Sequence, residues 1–175
     1  MRRTRFFTAI LGGLLAGSLA PLGMAGADGP SAAICSWTGQ ATFSPGLTLT
    51  PQRGTLQFQG QSGSIDCVGT IRGAGVTGPG TLGLQGEYGL GPLSQAFGGG
   101  ACHEGGARFV FAMTIPTKNG QVELSTIADA EHVGPIGQYQ GPSFSGVLRF
   151  SPAHGDCVNS PATELDVNGQ GLLLT

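Results

Sequence analysis

Apolar residues recur at every second position through most of this chain, and that period restricts the fold to β structure. The clearest run is Arg108 to Ile115, where Phe109, Phe111, Met113 and Ile115 share one face. Successive side chains of a strand point to opposite sides, so the run reads as a strand with one buried face. Pro116-Thr117-Lys118-Asn119-Gly120 follows as a turn, signalled by Asn-Gly. The return strand turns Val122 and Leu124 inward and Glu123 outward. An early strand carries Trp37, Gly39, Ala41 and Phe43 on one face, with Trp37 read as core, and the next carries Leu56 and Phe58. Ile65 and Cys67 resume the pattern after an interruption at Gly60–Gly63 that reads as a bulge. Leu82, Leu84 and Tyr88 form a further strand, Leu148 and Phe150 another, and Leu165 and Val167 another. Leu172 to Leu174 ends the chain as an apolar strand.

Helix signals are nearly absent. The best candidate, Ser125 to Val133, is too short to be more than a turn. About eight strands separated by Gly/Pro turns predict an all-β fold, an antiparallel β-sandwich or β-barrel. The outward positions are Thr, Gln, Ser and Gly, which suits a face turned to water. Two stretches lack periodicity, Gly73–Gly80 and Gly89–Gly106. A loop as long as the second is unusual in a compact domain, and it reads as a segment pinned by a disulfide at Cys102.

The head of the chain obeys a different grammar. Arg2, Arg3 and Arg5 precede an uncharged apolar stretch, Phe6 to Met24, and Ala25-Gly26-Ala27 offers an Ala-x-Ala cleavage site. This is the pattern of a cleaved signal peptide, residues 1–27, followed by one domain, residues 28–175, that begins near Asp28. Gly12, Gly13, Gly17 and Pro21 break the apolar stretch, which argues for cleavage over a permanent membrane span. The expected location is extracellular or the cell envelope.

Export gives the cysteines their meaning. Cys35, Cys67, Cys102 and Cys157 are an even set, and no pair has the Cys-x-x-Cys spacing of a zinc site. Two disulfides are expected. Of the three pairings, Cys35–Cys67 with Cys102–Cys157 is favoured, because Cys35 and Cys67 fall at the open end of a hairpin.

Losing three arginines with the head leaves 5 basic against 10 acidic residues. Nucleic acid, which is bound by clustered Lys and Arg, is excluded as a partner, and an anionic membrane surface is disfavoured. Gly141-Pro142-Ser143-Phe144-Ser145 begins like a nucleophile elbow but lacks the closing Gly. The Gly-x-Gly strings lack the strand-to-helix context of a phosphate loop, and 33 glycines produce them by composition. No cofactor is implied. Three histidines lie near acids, at His103-Glu104, Glu131-His132 and His154-x-Asp156. His103 is the best of them, because Cys102 would fix its backbone. Tyr139, between Gln138 and Gln140 in a Gly/Pro-rich stretch, reads as an exposed ligand contact.

An early Cys, then Ala41-Thr42-Phe43-Ser44-Pro45-Gly46-Leu47-Thr48, Cys67-Val68-Gly69, a lone Cys102 and Gly155-Asp156-Cys157 form a recognisable series. It resembles a group of small secreted actinobacterial β-rich proteins with four cysteines and no assigned function. The resemblance implies export, β structure and cysteine bonding, and it supplies no ligand or catalytic residue.

The function expected from these features is a non-catalytic envelope or extracellular binding module. Its partner would be cell-wall polysaccharide or an extracellular protein. Two other readings stand beside it: a secreted hydrolase using His103 with a loop carboxylate, and a secreted inhibitor or effector presenting Gly89–Gly106.

Overall fold

The computed structural model describes residues 31–59 and 63–175. The expected signal peptide, its expected cleavage site and Asp28 lie outside the described residues. The elements run β1 (Ala32–Leu47), β2 (Gly54–Phe58), β3 (Gly63–Ile71), β4 (Ala74–Gly75), β5 (Gly80–Tyr88), α1 (Pro92–Phe97), β6 (Glu104–Thr117), β7 (Gly120–Val133), β8 (Ile136–Gln140), β9 (Phe144–His154) and β10 (Ala162–Leu174). All strand pairings are antiparallel, and the strands form one 10-stranded sheet.

That sheet closes on itself. β5 to β10 pair in sequence order, β10 pairs with β1, and β1 returns to β5 through β2 and β3, giving a ring through 8 strands. The ring is not a uniform barrel. β2 and β3 occupy successive lengths of the same stave, each bridging β1 to β5. Residues 60–62 of the interruption read as a bulge lie outside the described residues. Followed once round the ring, the registers return to β1 about ten residues from the start. An eight-strand ring has an interior just wide enough for side chains to fill or for one small ligand.

Period two is why these segments are strands. β1 alternates buried Cys35, Trp37 and Ala41 with exposed Ile34, Ser36 and Thr38. The hairpin at Lys118-Asn119 closes on Thr117↔Gly120, with Gly120 at positive φ. Bulky rings fill the middle of the ring. Trp37, Phe111, Tyr139 and Phe144 meet edge to face at centroid distances of 5.1–5.9 Å. Inward glycines make the room: a Cβ on Gly169 would run into the Trp37 indole, and one on Gly39 into the Phe58 ring. The outer face is mostly polar. Among the exceptions, Val68, Ile34 and Leu172 stand directly opposite one another and are exposed, as are Val133 and Ile136.

Both favoured disulfides are present, and no cysteine is free among the described residues. Cys35 and Cys67 are register partners across β1 and β3. Cys102–Cys157 ties the segment before β6 to the β9–β10 connection. Two disulfides are typical of proteins in oxidising compartments. No helix among the described residues is long and apolar enough to cross a membrane.

Three expectations are corrected. Ser125 to Val133 is not a turn but the second half of β7, paired with β6 throughout. Its acids and His132 mask a strand whose small inward residues are Ala128 and Ala130. Gly89–Gly106 is not uniformly irregular, because it holds α1. Gly73–Gly80 contains β4, and Val76 bridges to Thr117.

Candidate functional site

The segment from Gly89 to Gly106 closes one end of the ring. Pro92 starts α1, and the Glu131 carboxylate accepts the Leu93 N–H at 3.2 Å. Buried Ser94 accepts the Gly106 N–H through its hydroxyl at 2.7 Å, while Gly89 N–H donates to Gly106 O at 2.8 Å. Gln52 and Gly100 exchange backbone hydrogen bonds at 3.0 and 2.8 Å. This network, together with the Cys102 disulfide, seats the segment over the interior.

Beneath it lies a cavity of about 80 Å³. One water needs roughly 10–15 Å³ and two to four polar partners. The space is several times larger than that, and its walls are apolar: Trp37, Phe58 and Phe109 on one side, Leu84, Leu148 and Phe150 on others. The Tyr88 hydroxyl is engaged elsewhere, donating to Pro45 O at 2.6 Å. Glu131 is held by α1. His132 is the one imidazole in the wall. Its ring stands edge-on to Phe150 at 4.8 Å, with Nδ1 3.1 Å from Gly134 O. Burial pushes its pKa down, partly countered by the contact with Gly134. An apolar space of this kind takes apolar ligands.

A second recess of about 230 Å³ opens beside the Cys102–Cys157 disulfide. It shares Leu47, Phe150 and Leu165 with the cavity, so these three side chains divide the two spaces. His103 lies on the recess. Its side chain is half-exposed, with Nε2 3.2 Å from Glu104 Oε1. On the outer face, an open groove beside α1 is lined by Gln95, Gln138, Gln140 and the Arg108–Asp129 pair. That pair is bidentate, at 2.7 and 3.1 Å, and the guanidinium lowers the Asp129 pKa.

Tyr139 is corrected outright. It is an inward residue of β8, 2% exposed, and it accepts the Trp37 indole N–H at 3.2 Å. Burial pushes its hydroxyl up to about 12. Gln138 and Gln140 flank it because they point out of the same strand. His103 and His132 come together near the site, whereas His154 lies apart on β9, Nδ1 3.1 Å from Thr163 Oγ1. Sequence reading missed the cavity, whose walls come from strands far apart in the chain. Its one local signal was the small inward residues Ala41, Ala107 and Ala130, set where large ones would fill the space.

Fold and site together define a ring-closed antiparallel β domain with an apolar interior. No protein-family model, no curated protein and no solved structure matches the chain.

Proposed function

We propose that this chain is exported through a leader at residues 1–27, and that the mature domain is a non-catalytic binding module holding an apolar group in its ring. The 80 Å³ apolar cavity inside a closed, twice cross-linked ring carries the reading. Export is supported by the two disulfides. The hydrolase reading has less behind it, since His103 is half-exposed and its carboxylate partner is its own neighbour Glu104. An envelope polysaccharide is the second reading, favoured by the outer groove of Gln, Arg and Asp side chains, which suits hydroxyl-rich ligands.

Trp37 is the only tryptophan and lines the cavity, so its emission reports on occupancy. Benzene titrated into the oxidised domain, residues 28–175, is expected to change that emission saturably and to raise the melting temperature. Ala130→Leu, which fills the cavity from β7, is expected to keep the fold by circular dichroism and lose the response. Absence of a saturable response in the parent protein would overturn the reading. Retention of cell-wall polysaccharide by the domain, abolished by Gln138→Ala with Gln140→Ala, would establish the second reading.

A further inference from the structure

We infer that the interior cavity and the recess beside Cys102–Cys157 form one channel for a single-chain amphiphile with a cationic head, its tail in the ring and its head at His103-Glu104. This rests on the proposed apolar site and extends it to a ligand class.

The first argument is continuity. Leu47, Phe150 and Leu165 line both spaces and are all that the two walls share. Leu47 and Leu165 are buried, at 5% and 4% exposure, while Phe150 is only partly buried. Phe150 is therefore the member of the partition whose displacement would bury or expose least. It is steadied by the edge-on His132 ring on the cavity side. A displaced Phe150 joins an 80 Å³ space to a 230 Å³ one. A space of that combined volume with apolar walls suits an alkyl chain.

The second argument is charge at the mouth. Cys102, His103, Pro135, Pro152 and Cys157 surround the recess, and no Lys or Arg is among its lining residues. The Glu104 carboxylate lies against the ring of His103, which lines the recess. Asp156, next to Cys157 in the chain, turns its carboxylate into its own turn, where Asn159 and the backbone N–H groups of Asn159, Ser160 and Val158 hold its pKa down to about 2. A carboxylate or phosphate head would meet the Glu104 carboxylate beside His103 and no Lys or Arg, whereas an ammonium head would meet a counter-charge.

The test is a titration of the oxidised domain with hexylamine, dodecylamine, dodecanol and dodecanoate, below their aggregation concentrations, beside benzene as a reporter of the cavity alone. Each methylene that enters the channel tightens binding roughly fourfold. Dodecylamine is therefore expected to bind at least 100-fold tighter than hexylamine and at least tenfold tighter than dodecanoate, with dodecanol between. Pro152→Phe, which narrows the recess at an exposed strand position, is expected to weaken dodecylamine at least tenfold and leave benzene unchanged. Benzene binding with equal affinity for the two amines would overturn the channel and leave the cavity reading standing. Dodecanoate binding as tightly as dodecylamine would overturn the cationic head. Failure of benzene as well as the amines would remove both readings together.

Discussion

The Trp37 indole N–H and the Tyr139 hydroxyl are paired in the middle of the ring, and both residues are buried. Tyr139→Phe keeps the ring packing and leaves a buried N–H without an acceptor, which costs about 1–3 kcal/mol. Urea denaturation followed by Trp37 emission should read that loss, and unchanged stability would mean the indole finds another partner. His132 gives the domain a pH dependence with a definite sign. Burial depresses its pKa below the ordinary 6.5. Above 6.5 the imidazole is neutral in both states and stability is unaffected. As pH falls below 6.5, the unfolded chain takes up the proton first and stability drops, levelling once the folded pKa is passed. The groups facing the ring are His103, whose charge lowers the pKa further, and Glu104, which raises it. Melting temperatures at pH 7.5 and 5 should therefore differ, and His132→Phe should shrink the difference. Neither residue was legible in its role. His132 follows Asp129 and Glu131 and reads as solvated, and Tyr139 lies between glutamines and reads as exposed, because a strand with one large inward residue leaves no alternation to detect.

At the scale of elements, strands with several large inward residues were legible, the five-residue β2 among them, while β8 and the second half of β7 were not. β6 declares itself through four apolar residues at period two, and Trp37 and Phe58 point inward as their spacing predicts. β8 is five residues long with one large inward side chain, and α1 has six residues and a weak helix signal beyond Pro92. Both are held by tertiary hydrogen bonds rather than by local preference. The segment from Gly89 to Gly106 depends on Ser94, the buried hydroxyl that receives Gly106 N–H. Ser94→Ala leaves that N–H unpaired and should cost about 1–3 kcal/mol. Hydrogen exchange at Gly106 should accelerate in parallel, and an unprotected Gly106 in the parent protein would contradict the placement. Removing Cys102–Cys157 by a double alanine substitution has a larger effect. The loop it closes spans 55 residues, worth about 4 kcal/mol on the chain-entropy account. The same change frees one wall of the recess, so ligand exchange should quicken as stability falls.

Sequence patterning admits both a sandwich and a ring, because each has one buried face per strand. What separates them is the pairing of β1 with β10, between segments at opposite ends of the chain that no local pattern can connect. The pairing can be tested on its own. Ser31 and Thr175 exchange backbone hydrogen bonds at 3.1 and 2.9 Å, and alternation from there makes Ser36↔Gln170 a pair without backbone hydrogen bonds. Such pairs bring Cα atoms to about 4.5 Å, within disulfide reach. Both side chains are exposed on the outer face, clear of the buried Cys35–Cys67 bridge. Ser36→Cys with Gln170→Cys should therefore cross-link under mild oxidation, with the bond found by non-reducing peptide mapping. Bridging so long a loop should stabilise the domain by up to about 5 kcal/mol. Ser36→Cys with Asn168→Cys, displaced two positions along β10, should not bridge, since diagonal neighbours stand about 7–8 Å apart. Bridging in the first variant alone establishes both closure and register. Bridging in neither leaves an open sheet, and with it no enclosed interior to hold a ligand.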